Sequence, residues 1–524
     1  MKIICLASEM VIPAVRYSLE FILNSNGYFF EWKNEPEPGN LHITYGTSII
    51  PEISAESQIN LPSHYTLDML HRTKILWQEI KIGGRTIPVI TNKSSDPEIP
   101  FDLLATVFYH LTRVEESEYS NPDDVDIQMS NHCLFKYGQF KIPVVDVLCR
   151  WFYDLLASKK VPLLRKAVFP SGEQCGVAVT HDIDRLFTIN PIKRYFKMVG
   201  SFFGFKSGVT RVRAMDNSAY MRIFEKLVSD YKRSDIKATF FFLAKKMENK
   251  SYRYRINNKK LRELLRFLNR NNHEVALHSS RYAFDNNKRY MKEKKRLENG
   301  LGQKVEGLRQ HYIRCLFPGI WRIAAAADFS YNSSLVYRRM SGFRAGTSHP
   351  FRCFDHMGGE EIPVVECPVL FFENTLPHDG KDVDKSLSEI RELFDEVNEY
   401  QGVLVALWHQ DNIYDNGVYQ EIWHTFLELL ANKYIYIATL KEQVDWYILR
   451  NKITMESFEE KKGRWSVTLD IPEGIKKLTL ILPEEFDRVN VAENAFEYQC
   501  KGTRLFINTG GQARKLIVYL ENSH

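Results

Sequence analysis

The chain has 524 residues, 44% of them hydrophobic and 26% charged, with a net charge of +5 and a mean hydropathy of −0.32. That length is too great for one hydrophobic core and predicts roughly two to four domains. The small net charge, with no zinc finger or arginine-rich arm beside the short basic run at Lys292, Lys294, Lys295 and Arg296, argues against nucleic acid as a partner.

Residues 1 to 165 predict a first α/β unit. Lys2–Ala7, Leu41–Tyr45 and Ile87–Ile90 read as strands, and Pro13–Ser25 as a helix. Phe101–Glu118 predicts a helix with an apolar stripe and an acidic end, and a second amphipathic helix follows Pro143. His110 reads as a packed residue of the first of these helices. From Cys175 the pattern changes. Fully apolar runs at Val177–Thr180, Ala238–Ala244, Val275–His278, Gly307–Arg309, Ile362–Val369 and Val403–His409 alternate with helical stretches. Such alternation indicates a parallel sheet covered by helices, here a complete or distorted β/α barrel over 175–450. From Ile453 to the end, short strands separated by Gly, Pro, Asp and Asn predict a small all-β unit over 453–524.

The eight cysteines are scattered without a C-x-x-C pair, as expected of reduced, buried thiols. The start of the chain lacks the long apolar stretch of a secretory signal, and no window reaches the roughly 20 apolar residues of a membrane span. A cytoplasmic protein is the expectation.

In a β/α barrel the reactive groups sit where strands end, because the following loops face one mouth. Several apolar runs stop at such residues. Val177–Thr180 leads into His181, Asp182, Ile183 and Asp184; Val275–Leu277 into His278; Val403–Trp408 into His409. Asp182 and Asp184 are two apart and leave an extended backbone on the same face, whereas His181 points the other way, into the core or behind the site. Of two such close carboxylates, one can bind a cation while the other serves as a base. Carboxylate with imidazole suits a divalent transition metal with open positions. Helix capping is the competing role for the two aspartates. Leu308–Tyr312 adds Arg309 and His311.

These segments resemble the polysaccharide deacetylase (NodB-like, carbohydrate esterase 4 type) family over about 240 residues. Thr180–Asp184 resembles its D-x-D motif, Ala238–Phe241 its A-T-F-F strand, His273–Ser279 its G-H-E-I-G-x-H-[ST] strand, and Leu407–His409 its late L-x-H motif. The resemblance implies a distorted deacetylase-type (β/α) barrel in an α/β chain. It assigns Asp182 as general base, Arg309 as its partner, His409 as the acid that protonates the leaving group, and Asp184 and His278 as metal ligands. Zinc is the expected metal, with cobalt or nickel as alternatives, and an amide near Tyr312 would serve the oxyanion. Departures stand beside it. Tyr282 occupies the place of the usual second metal histidine, and His311 is the candidate replacement. Asn332 in Tyr331–Ser334 replaces an expected aspartate. Leu111–Glu116 looks like part of the uncharacterised domain that precedes deacetylase domains in some bacterial surface-polysaccharide gene products.

The implied function is hydrolysis of acetyl groups from an N- or O-acetylated sugar or an intracellular glycan precursor. The competing readings are a catalytically inactive glycan-binding or assembly module and a hydrolase of a small amide. The loop Gly342–Phe351 reads as an ordinary ordered loop, with binding of sugar hydroxyls as the alternative.

Overall fold

The computed structural model describes residues 1–7, 12–46, 53–63, 65, 67–72, 74–91, 98–117, 119, 121–123, 132–186, 218–244, 256, 258–415, 417–431, 434–461, 463–492 and 497–522. Near the amino terminus, β1 (Ile3–Leu6), β2 (Phe30–Lys33), β3 (Leu41–Tyr45) and β4 (Gln58–Leu61) form a parallel sheet in the order β2-β1-β3-β4. β5 (Trp77–Ile82) and β6 (Arg85–Ile90) make a hairpin. The helices Pro13–Ser25 and Val144–Ser158 lie where the periodicity predicts them.

The helix expected over Phe101–Glu118 is shorter, Leu103–Thr112. Asp102 Oδ1 caps its start by accepting from the Ala105 amide at 3.0 Å. Arg113 ends it by taking a left-handed backbone at φ 57°, and Val114–Glu116 follow as a 3-10 turn. Glu118 lies outside the described residues. The segment leading out of this region carries β7 (Arg165–Lys166).

The central sheet has ten strands: β8 (Cys175–Ile183), β9 (Ala238–Leu243), β10 (Glu274–Ser279), β11 (Gly307–Gln310), β12 (Tyr331–Asn332), β13 (Phe351–Asp355), β14 (Glu360–Glu366), β15 (Phe371–Phe372), β16 (Val403–Trp408) and β17 (Ile435–Ile437). Its order is β13-β14-β12-β11-β10-β9-β8-β16-β15, with β17 beside the start of β8. All pairs are parallel except β13 with β14. Of the complete or distorted barrel expected, the complete form is not seen: no ladder closes the sheet among the described residues. β14 and β15 share no ladder; the residues that connect them bond to their other neighbours, Cys367 N–H to Asn332 O at 2.9 Å, Val369 N–H to Leu335 O at 2.9 Å and Leu370 N–H to Val405 O at 3.0 Å.

All nine residues of β8 are buried, so the strand carries two apolar faces. Val177, Val179 and Ile183 pack outward with Phe240, Phe242, Val275 and Leu277, against the helical layer. Ala178, Phe241, Ala276, Tyr331, Val365, Val405 and Leu407 form a separate inner cluster. Alternation along each strand then puts Asp182, His278, Arg309 and His409 on the inner side, above that apolar floor. Gly307 permits this floor. A Cβ there would lie 2.1 Å from the Tyr331 ring, whose hydroxyl donates to Glu274 Oε1 at 2.7 Å.

The last strands are β18 (Thr454–Lys461), β19 (Arg464–Ile471), β20 (Lys477–Ile481), β21 (Arg488–Val491), β22 (Glu497–Lys501), β23 (Arg504–Asn508) and β24 (Arg514–Glu521). They build two antiparallel sheets, β18-β19-β24-β21 and β22-β23-β20-β7. Their alternating inward residues, among them Val467, Leu469, Leu480, Leu505 and Val518, share one core. β7 crosses from the earlier segment to complete the second sheet, pairing Lys166 with Leu480.

The loop Gly342–Phe351 is buried against the amino-terminal region. Phe343 N–H donates to Phe140 O at 2.8 Å, Val145 N–H to Gly346 O at 2.7 Å, and Asp146 accepts from Thr347 and Ser348. Its polar groups are consumed in that junction, which leaves the ordered-loop reading and removes the sugar-binding one.

Candidate active site

The carboxyl ends of β8, β10, β11 and β16 converge. His278 and Arg309 are register partners on neighbouring parallel strands, so their side chains rise side by side from the inner face. Asp182 follows from the same alternation on β8, and Asp184 stands one step beyond the strand, 24% exposed.

Arg309 is buried and every arm of its guanidinium is engaged. Nε donates to Ser333 O and Nη2 to Ser333 Oγ, both at 2.8 Å. Nη1 donates to Thr180 Oγ1 at 2.8 Å and to Asp182 Oδ1 at 3.0 Å. The guanidinium also lies 4.1 Å from the Phe241 ring centre. This fixes one oxygen of Asp182 and leaves Oδ2 facing His278 Nε2 at 3.5 Å.

His278 Nδ1 lies 3.0 Å from Arg309 O, a contact that only an Nδ1–H can make, so in the neutral ring the lone pair is on Nε2. That nitrogen is 3.3 Å from Asp184 Oδ1, and His311 Nε2 is 3.3 Å from Asp184 Oδ2. One ligand atom from each of Asp184, His278 and His311 lies within 4.8 Å of the others. Asp184 Oδ1 is buried and takes no well-angled hydrogen bond among the described residues. Two carboxylates share one guanidinium, and the donor set is one oxygen and two imidazole nitrogens. An orphaned carboxylate oxygen with two converging nitrogens fits a divalent cation.

The electrostatics agree. Burial pushes the Asp184 carboxyl up, but His278 and His311 hold it well below the usual carboxylate range. Burial opposes charge on His278, yet Asp182 and Asp184 raise it above its ordinary value. Burial lowers His311.

His409 stands across the site, with Nε2 3.9 Å from Asp184 Oδ2. Glu373 Oε1 accepts from its Nδ1 at 2.9 Å, from its backbone amide at 3.0 Å and from Asn412 Nδ2 at 2.6 Å. Burial disfavours the imidazolium, but fully buried Glu373 raises His409 to about 10. Sequence reasoning missed Glu373, although the signal was of the kind used elsewhere: the apolar run Val369–Phe372 ends in an acid. It likewise missed Ser333, which holds Arg309, and Gln310, whose Oε1 accepts from Ser279 Oγ at 2.5 Å and from Tyr290.

Other singled-out residues are placed as follows. Tyr282 lies in the 3-10 turn Arg281–Ala283 and is 45% exposed, outside the ligand cluster. His181 is buried, hydrogen-bonded to Tyr231 and stacked on Phe240 at 4.9 Å, and burial lowers it to about 3. His110 is buried, and neither ring nitrogen finds a partner among the described residues. Asn332, where an aspartate was expected, donates to Glu366 Oε2 at 2.5 Å. Tyr312 and Ile313, after His311, have φ of 60° and 53°.

Residues 3–161 match the model of a family described as a family of unknown function (DUF7033). Among solved structures, the chain is similar to a putative polysaccharide deacetylase from Mycobacterium smegmatis, with 17% identity and a TM-score of 0.39, over 56% of this chain and 96% of that one. It is similar to a probable polysaccharide deacetylase from Pseudomonas aeruginosa PAO1, with 13% identity and a TM-score of 0.38, over 54% and 93%. A CE4 family pseudoenzyme from Bacillus anthracis matches at 13% identity and a TM-score of 0.28, over 53% and 67%. No curated protein matches the chain.

Proposed function

We propose that the chain is a metal-dependent hydrolase that removes acetyl groups from an N- or O-acetylated sugar or glycan precursor. The observation that carries this reading is the convergence of Asp184, His278 and His311 beside an Asp182 held by Arg309. A divalent cation, with zinc best suited to the donor set and cobalt or nickel as alternatives, supplies Lewis acidity there, polarising a carbonyl and acidifying water.

The chain's own residues do the remainder. Asp182, oriented by Arg309 through Oδ1, takes the proton of the attacking water through Oδ2. Glu373 fixes the His409 ring through Nδ1 and stabilises its charge, so Nε2 holds the proton that the departing amine or alcohol receives. We assign the developing oxyanion to a backbone amide of the Tyr312 turn. The division into units 1–165, 175–450 and 453–524, with Arg165–Lys166 lent to the last, and a cytoplasmic site of action belong to the same proposal. Among the described residues no helix is long and apolar enough to cross a membrane.

The test is metal content and acetate release of the purified chain on acetylated sugars, with Asp184→Ala and His278→Ala alongside. Near-stoichiometric metal lost in both variants, together with acetate release by the parent, supports the reading. Absence of metal after addition of zinc, cobalt or nickel refutes it and favours a glycan-binding module. Metal without acetate release from sugars, but with hydrolysis of small amides, changes the substrate.

A further inference from the structure

The turn that carries His311 is unlike an ordinary strand end. After β11, Tyr312 and Ile313 both take a left-handed backbone, with φ of 60° and 53°. Neither is glycine, and the β-branched Ile313 is among the residues least suited to that region. Such backbone persists only where its surroundings hold it. Relaxing either residue to negative φ would redirect the chain beside His311, and with it the ring whose Nε2 meets Asp184 Oδ2 at 3.3 Å. His278 needs less support, because it rises from β10 within a ladder, whereas His311 lies just beyond the end of β11.

Two side chains supply the hold. Arg338, half-buried in the loop after β12, donates from Nε to Tyr312 O at 2.9 Å and from Nη2 to the same oxygen. Two charge-assisted bonds on one carbonyl fix the peptide plane between Tyr312 and Ile313.

Gln310 works from the other side. It is fully buried, and as the register partner of Ser279 it points away from His278 and Arg309, behind the site. Its Nε2 donates to Ser280 O at 3.1 Å and, over a longer 3.4 Å, to His311 O, where the Arg314 amide also donates at 3.4 Å. Its Oε1 accepts from Ser279 Oγ and from the Tyr290 hydroxyl. Gln310 therefore ties the end of β11 to the end of β10, and both to the helix Asn287–Leu301 that carries Tyr290. Glu293 of the same helix accepts from the Ser280 amide at 2.8 Å and from Ser280 Oγ at 2.5 Å, which braces the strand of the other histidine. The peptide planes before and after Tyr312 are thus both held, one by Gln310 and one by Arg338.

We propose that Arg338 and Gln310 are positioning residues: by holding the left-handed turn they aim His311 Nε2 at the metal and the Tyr312 amide at the reacting carbonyl. The metal and the carbonyl rest on the deacetylase reading above, whereas the held turn does not.

The experiment is titration of the metal-free full chain with zinc against a competing chelator, followed by the visible spectrum of the cobalt-loaded protein. His311→Ala gives the signature of a lost ligand. Arg338→Met should weaken zinc binding about tenfold, and Gln310→Met about 10–100-fold, the range for groups that orient a ligand. The cobalt spectra of both should move toward that of His311→Ala, a shift that general destabilisation would not produce. Arg338→Lys keeps a donor for Tyr312 O and should recover part of the affinity. Because Arg338 is only half-buried, its variants decide the matter even where Gln310→Met fails to fold. Unchanged affinity in either folded variant overturns the proposal, as does weaker binding with the parental cobalt spectrum, or parental binding by His311→Ala. Those outcomes leave the metal site of the parent standing. A parent that binds neither zinc nor cobalt removes the deacetylase reading and this inference with it.

Discussion

Among the described residues, two buried clusters combine a pair of acidic residues with histidine, and they differ in what neutralises the acids. Asp182 and Asp184 face one guanidinium, that of Arg309, together with His278 and His311. Glu115 and Glu116, with His132, also bring potential ligand atoms within 4.8 Å of one another, but face two guanidiniums. Arg113 Nη2 lies 2.7 Å from Glu115 and 2.6 Å from Glu116, and Arg344 Nη2 2.7 Å from Glu116. Burial pushes Glu116 up, but Arg344 and Arg113 together hold it below its ordinary value. His132 is driven well below its own range by burial and by the same two arginines. The second cluster is complete in charge and repels a further cation. It clamps the amino-terminal region to the Gly342–Phe351 loop, since Arg113 Nη1 also donates to Arg344 O at 2.7 Å. On the reading proposed above, a carboxylate–histidine cluster is open to a metal where arginines leave it unbalanced and is a structural clamp where they balance it.

The sharpest way to break this contrast is removal of a ligand. Asp184→Ala and His278→Ala should abolish bound metal by elemental analysis and reduce acetate release to background, whereas Glu116→Gln should leave metal content unchanged. Metal retained in the first pair or lost in the last would reverse the assignment of the two clusters.

Asp182→Asn should keep the metal and lower kcat by about 10²–10⁴, the range for a general base, as read by steady-state kinetics. A parallel loss of metal would make Asp182 a ligand instead.

In the clamp, Arg113→Met strands two buried glutamates, and urea titration should show a loss of about 3–5 kcal/mol. Unchanged stability would mean that water or Arg344 suffices to neutralise both.

Smaller effects follow at the rim. Glu373→Gln removes the charge that orients His409, and activity should fall on the order of 10–100-fold with metal retained. Tyr282→Ala, at an exposed turn, should change metal content and activity by less than about twofold, as surface substitutions usually do. A large effect there would bring Tyr282 into the site.

Much of this was readable along the chain because the signals are local. The apolar runs that end in Asp182, His278 and His409 announce buried parallel strands and name the side chains at their mouths. Alternation alone separates Asp182 from His181, which turns outward onto Phe240. Glu373 escaped notice because its strand, Phe371–Phe372, is too short to stand out. The helix after Phe101 was drawn too long because nothing in the pattern foretells the left-handed turn of Arg113, which serves the clamp.

Sequence periodicity by itself located β8, β9, β10, β11 and β16, their inner face and the residue types at the mouth, since burial on both faces of a parallel strand dictates its composition; β12, β13, β15 and β17 left no such signal. Tertiary structure decided which histidine joins Asp184 and His278. His311 reaches Asp184 because β11 pairs with β10 in a register that sets Arg309 beside His278, and Tyr282 turns to solvent one turn away. It also decided that β14 and β15 share no ladder, and that the two arginines close the Glu115–Glu116 cluster. Those outcomes depend on pairings between residues distant along the chain, His311 with Asp184 at a separation of 127 and Arg344 with Glu116 at 228, and no local pattern encodes them.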